Sequence, residues 1–324
     1  MTRPLLIINA LICMAGLAAA ALAPASAYSQ LYICDLALFS LLAVAFDVTF
    51  GFAGMLSLAQ ALFFGTAAYA IGWLLLSGGT DLAYAVPLAV LAATAMATVI
   101  GFVAVRGSNH GLLILTLIFV TVAYTWAQNQ RDLTGGDDGL VLASEPFRLF
   151  GHDLTGLGRY RFSMLAFSLA FAVTVYLMWS PFGRVLRAIK ENSLRADFLG
   201  YDTVWVRVAA FSLTGFIAGT AGVIYAVMFQ HVHTGQLHWT MSASALVWAF
   251  FGGLGTLAGP VLGVLIIRPF EDLTALWIGH PKFFTGLVLI AMVLTNRAGV
   301  MGVVLRAITR ARGSRSVASG PEGS

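Results

Sequence analysis

Charge is what this sequence lacks most. Asp, Glu, Lys and Arg make up 10% of it, against about 25% in an average soluble chain. A globule of 324 residues with that composition has too little polar surface for water. An ordinary soluble domain is therefore excluded, and the solvent must be partly lipid. The net charge of +4 is too small to imply nucleic acid. Lysine is rarer still: Lys190 follows Ala-Ile and Lys282 follows His-Pro. A phosphate-binding loop of the form G-x-x-x-x-G-K-[ST] needs glycines before the lysine and Ser/Thr after it, and neither lysine has them. Any ATP-driven step then requires another polypeptide. Cysteine is limited to Cys13 and Cys34, in apolar segments without metal or redox spacing. They read as inert buried thiols. HExxH, GxSxG and paired acidic motifs are also missing, so an embedded enzyme has no support. No cofactor and no metal is expected in this chain.

Apolar residues fill the space. They make up 59% of the sequence, and the mean hydropathy is +0.88. Runs near 20 residues cross a core of about 30 Å at 1.5 Å per residue. Candidates lie near 5–27, 31–50, 55–76, 82–105, 111–129, 162–180, 207–229, 243–267 and 273–295. None alternates with period 2, so all read as helices. The first has a competing reading: Arg3, an apolar stretch and then "APASA" resemble a signal peptide cleaved after Ala27. Its length favours a retained span.

The basic residues orient the chain. With the loop 181–206 in the cytoplasm, Arg3, Arg106 and the tail Arg297, Arg306, Arg310, Arg312 and Arg315 should also lie inside. That places both termini in the cytoplasm, but only if one of the two apolar segments after 207–229 does not cross. The suspect is 243–267, interrupted by "FGGLGTLAGPVLG". Its glycines and Pro260 break a helix, and a break at membrane depth needs protein or water to satisfy the freed backbone. The expected fold is an all-α polytopic bundle of about eight spans, with a re-entrant or broken helix near 243–267. The transmembrane domain, 1–312, is followed by a Gly/Ser-rich tail, 313–324, that reads as disordered.

The loop "SPFGRVLRAIKENSLRADFLGYD" concentrates charge in an otherwise greasy chain: Arg184, Arg187, Lys190, Glu191, Arg195, Asp197 and Asp202. From Val185 to Leu199 there is no Gly or Pro, so one helix near 184–200 is expected. Arg187, Glu191 and Arg195 are spaced to pair along one face, and Gly200 is placed to end the helix. Such a helix is too polar to span; it could lie on lipid or dock into another protein.

This region, continued through "TVWVRVAAFSLTGFIAGTAGVIYA", resembles the cytoplasmic coupling region of permeases of branched-chain amino-acid ABC transporters, the LivM type. Three further passages match that family in order: "GFAGMLSLAQALFFGTAAYA" (51–70), "LTGGDDGL" (133–140) and "GGLGTLAGPVLG" (252–263). Together they cover most of 40–300. The resemblance implies a multi-pass subunit of the bacterial inner membrane, paired with a second related permease. Two ATPase subunits would sit below it and a periplasmic solute-binding protein would deliver the solute. Arg184, Arg187, Glu191, Asn192 and Gly200, with Lys190 and Arg195 beside them, would carry the ATPase docking. The family usually has Asn where Asp47 stands, and often Gly-His where Ala59 and Gln60 stand. These departures leave leucine-like amino acids, urea, amides and aromatic acids all open as solutes.

Candidates for a translocation path follow from residues at membrane depth. Asp47, near the inner end of its span, is costly to bury and is functional by default; ion coupling at Asp47 in a secondary transporter or channel is the alternative function. Ser57 and Gln60 offer hydrogen bonds to a solute or between helices. Gly51, Gly54, Gly252, Gly253 and Gly255 read first as packing or helix-breaking positions. Asp35 reads as interfacial. His231, His233 and His238 raise a zinc hypothesis, but no Cys or carboxylate joins them in sequence. "TGGDDG" lacks the calcium-loop spacing and reads as an outward turn.

Overall fold

A computed structural model of the chain describes residues 3–78, 81–107, 109–142, 147–278, 283–288, 290 and 299–307. The α-helices that bear on the site are α1 Arg3–Ala21, α2 Ala27–Phe46, α3 Gln60–Gly78, α4 Leu82–Ala104, α5 Asn109–Asn129, α6 Arg131–Thr134, α7 Gly156–Trp179, α8 Pro181–Glu191, α9 Ser193–Phe198, α10 Thr203–Phe229, α11 Trp239–Gly252 and α12 Ala258–Ile278. Starts coincide with short polar side chains that take up orphan N–H groups. Ser26 accepts from Ser29, Asp81 from Ala83, Ser180 from Phe182 and Asp202 from Trp205. Among the described residues six helical stretches are long and apolar enough to cross a membrane: Pro4–Ala21, Ala27–Phe52, Leu82–Ala104, His110–Asn129, Gly156–Trp179 and Thr203–Phe229. The chain is thus an all-helical, multi-pass membrane protein.

Helix α10 is the centre. It packs on α2, α3, α4 and α7, and its small residues Gly215 and Gly219 lie directly on Ala93 and Ala97 of α4, the small-on-small contact by which membrane helices approach. Helix α1 lies on α7, where the Tyr160 hydroxyl donates to the Ala19 carbonyl at 3.1 Å. Two motifs distant in sequence meet beyond the end of α10: Leu140–Val141 pairs antiparallel with His231–Val232.

Three expectations on element boundaries are corrected. The expected boundary between spans 31–50 and 55–76 is wider than foreseen: α2 runs on through a π-helical turn, Asp47–Phe52, and α3 starts only at Gln60. Gly54, at φ +73°, turns the chain into an extended stretch that no helical ladder could include. The expected single helix 184–200 is two. Asn192, at φ −159°, ends α8, and its side chain accepts from Arg195 N–H to start α9. The break takes Arg195 off the α8 face, and no ion pair joins Arg187, Glu191 and Arg195 among the described residues. Gly200 does close α9: Tyr201 N–H reaches Ala196 and Gly200 N–H reaches Asp197, the paired bonds of a glycine-terminated helix.

The third correction concerns 243–267 and 273–295. The chain breaks as expected at 253–257, but α12 then continues through 268–272, where a gap between segments was expected. Arg268 is tolerated inside it because its guanidinium reaches Asp35 of α2 at 2.9 Å and Glu271 and Asp272 of its own helix. Helix α11 runs alongside α2 in the same direction, with Trp248 against Phe39 and Gly255 at Asp47. Helix α12 returns, from Leu257 at Asp47 to Arg268 at Asp35. Residues 279–282, 289 and 291–298 of the last expected span, and the tail 313–324, lie outside the described residues.

Candidate functional site

The break between α11 and α12 is the least regular part of the bundle. Gly253, Gly255 and Leu257 all have positive φ, 112°, 75° and 60°, so the backbone cannot bond as a helix there. Unpaired N–H groups at this depth must find partners. Asp47 supplies them: its carboxylate accepts from Gly255 N–H at 2.5 Å and from Leu257 N–H at 3.1 Å. Thr256 accepts from Gly259 N–H at 3.0 Å, at the start of α12, and Asn9 of α1 donates to the Thr256 carbonyl at 3.4 Å. Asp47 itself is fully buried.

Gly51 stands one turn beyond Asp47 on the same face. A Cβ there would collide with the Asp47 carboxylate and with Gly255 N, so only glycine permits this approach. The carbonyl of Gly51 belongs to the last turn of its helix, where such groups lack intrahelical partners. Lys190 of α8 fills the vacancy: Nζ donates to it at 2.6 Å. The aliphatic stem of Lys190 lies on Gly54. Gly252 packs on the carbonyl of Gly259 across the hairpin. Seven expected site residues, Asp47, Gly51, Gly54, Lys190, Gly252, Gly253 and Gly255, thus form one junction. Two irregular backbones meet in it, with the polar helix clamped on its side.

Ser57 and Gln60 are buried nearby but serve the extended stretch before α3. Ser57 accepts from Ala59 N–H at 3.1 Å, and Gln60 donates to Thr49 at 3.0 Å. Ser242 of α11 bridges Ala61 N–H and the Leu58 carbonyl, and Thr116 of α5 accepts from Leu58 N–H. Sequence reasoning missed Ser242, Thr116, Asn9 and Thr256. Their only local signal was a small polar residue in an apolar run, which is common where helices pack.

The rest of α8 and α9 divides by face. Leu186, Ile189 and Ala196 are buried, while Arg184, Glu191, Asn192, Arg195 and Gly200 are exposed. Arg187 turns inward. It donates to the carbonyls of Gly183 at 3.0 Å and Met178 at 3.3 Å and lies over the Phe52 ring. Beside the exposed charges stand Leu194, Phe198 and Leu199, which are 69%, 89% and 71% exposed.

Near the opposite end of α2 a cavity of about 300 Å³ is lined by Phe39, Trp248, Ser244, Arg268, Glu271 and Asp272. Asp35 is the partner of Arg268, at 2.9 Å. The three histidines between α10 and α11 hold their loop. His231 Nε2 meets the Asp138 carbonyl, His233 Nδ1 accepts from Gly235 N–H, and His238 caps α11 with its ring edge-on to Tyr124. Burial, and then the neighbouring His231, hold His233 below the usual imidazole pKa.

This architecture is that of a helical, multi-pass membrane protein. The family model described as branched-chain amino acid transport system / permease component matches residues 28–295, and the chain belongs to that family. It is similar to the high-affinity branched-chain amino acid transport system permease protein LivM of Escherichia coli K12, at 24% identity over 82% of this chain and 68% of the relative. It is similar also to LivH of the same organism, at 24% over 82% of this chain and 91% of the relative. A probable LivM of Methanocaldococcus jannaschii is 32% identical over 33% of each chain. No solved structure matches.

Proposed function

We propose that the chain is one permease half of an ATP-driven importer for branched-chain or other amino acids or similar small polar solutes, powered by separate ATPase subunits that seat on α8 and α9. The observation that carries this reading is the outward face of those two helices. Arg184, Glu191 and Arg195 stand in solvent beside Leu194, Phe198 and Leu199. Large apolar side chains set among charges are what a partner surface provides. Their buried face and the inward bonds of Arg187 fix the platform from behind. No Walker A loop occurs in the sequence, which supports an external ATPase.

In this reading α8 and α9 face the cytoplasm of a bacterial cell, and both termini lie on the same side. The hairpin of α11 and α12 is re-entrant, because both arms lie along α2 and turn at Asp47. The expected span 273–295, part of which lies outside the described residues, would bring the crossings to about eight. Helix α1 stays in the mature protein, supported by the bond of Asn9 to the turn of that hairpin. The partners are a second related permease, two ATPase subunits and a periplasmic solute-binding protein. Ion coupling at Asp47 is disfavoured because backbone N–H groups take up both carboxylate oxygens. The test is co-purification from the native membrane. Arg184→Glu with Arg195→Glu and Phe198→Ala should reduce the ATPase recovered at least ten-fold, with the permease itself still folded. Undiminished recovery would contradict the docking surface.

A further inference from the structure

The junction joins three segments far apart in sequence, and the order of the links is specific. Lys190 holds the Gly51 carbonyl, Gly51 lies four residues after Asp47, and Asp47 holds the two N–H groups of the hairpin turn. Gly255 also lies against the Gly51 carbonyl, so the peptide of Gly51 sits between the lysine and the turn. Lys190 is itself exposed and has water as its alternative partner, yet its ammonium donates to one backbone oxygen of the buried Gly51. A carboxylate in lipid is tolerated only with partners, and Asp47 has the N–H groups that the turn would otherwise leave open.

We propose that Lys190 and Asp47 are positioning residues that transmit the position of α8 to the turn at 253–257, so that a push on α8 opens or closes that turn. This rests on the reading of α8 as the site where force enters, and extends it by naming the route. The charged donor and the charged acceptor give the two strongest hydrogen-bond types available in this setting. The short π-helical turn between them moves as a unit, because a π turn is a local insertion in the helical ladder and not a flexible loop. A displacement of α8 that draws Lys190 away removes the partner of Gly51, shifts Asp47, and exposes Gly255 and Leu257 N–H. Two discrete arrangements, bonded and unbonded, are what a coupling element requires.

The link is testable in the full chain in lipid nanodiscs, with no ATPase present. Amide hydrogen exchange of the segment 253–257 is measured for wild type, Lys190→Met, Lys190→Arg, Asp47→Asn and Asp47→Ala. Exchange reports local opening. Lys190→Met should raise the exchange rate at 253–257 at least ten-fold, more than 60 residues away in sequence, while α10 stays protected. Lys190→Arg should recover most of the protection. Asp47→Ala should have the largest effect, and Asp47→Asn a smaller one because one acceptor oxygen remains. The double variant Lys190→Met with Asp47→Ala should match Asp47→Ala alone, since both cut one path. Should Lys190→Met fail to fold, Asp47→Asn against Asp47→Ala gives the same ranking for the downstream half, and Lys190→Arg reports the upstream half. Exchange at 253–257 that is indifferent to Lys190, or additive in the double variant, would overturn the proposal. Loss of ATPase recovery in the co-purification experiment tests the docking surface separately, and either result can fail without the other.

Discussion

Helix α2, with its π-helical end, carries two carboxylates, the half-buried Asp35 and the buried Asp47, and they are satisfied in opposite ways. Asp35 meets the side chain of Arg268 between two regular helices. Asp47 meets backbone N–H groups where the helix has stopped being regular. The first is an ion pair that could be replaced by two apolar side chains without disturbing either helix. The second substitutes for missing helical hydrogen bonds, and nothing apolar can do that. The difference separates a polar residue that neighbours tolerate from one that the fold requires.

The largest effect should come from Asp47→Ala. It leaves two buried N–H groups without acceptors, each at about 1–3 kcal/mol, so a loss of about 3 kcal/mol or more in unfolding free energy is expected in detergent. Thermal unfolding measures it. Arg268→Met should cost less, about 1–3 kcal/mol: it strands Asp35, but the partly exposed guanidinium limits the loss. Adding Asp35→Leu should recover most of that loss, to within about 1 kcal/mol of wild type. No second substitution should rescue Asp47→Ala in the same way, and a rescue there would erase the contrast. The smallest effect concerns pH at the loop between α10 and α11. Burial, and then the neighbouring His231, lower the pKa of His233 below the unfolded value of about 6.5. Its contribution is complete above that value and is lost as pH falls through the lower, folded pKa. His233→Gln should abolish that small acid-side decline, at most about 2 °C in Tm.

Much of the fold was legible because lipid imposes long apolar runs, and α4, α5, α7 and α10 lie where those runs predict. The hairpin break was legible too: Gly253 and Gly255 take positive φ there, while Pro260 sits in the first turn of α12, where its missing N–H costs nothing. The end of α9 at Gly200 follows from the same chemistry. Three features were not readable. Asn192 is neutral as a helix residue until its side chain finds the N–H of Arg195, so the split of α8 from α9 hides in a propensity. The continuity of α12 depends on Asp35, more than 230 residues earlier. Asp47 was recognised as anomalous, but its partners are backbone groups of Gly255 and Leu257, which no side-chain pattern announces. The candidate glycines were therefore found as a list, while their assembly around Asp47 and Lys190 required the structure.

The account as a whole depends on where α8 and α9 stand. Single cysteines at positions 195 and 198, in a chain with Cys13 and Cys34 replaced, can be labelled with an impermeant maleimide in right-side-out and inverted membrane vesicles. Both positions should react only in inverted vesicles, and an ATPase bound to the complex should protect them. Labelling from the outside, with none from the inside, would place these helices on the wrong face and contradict the account.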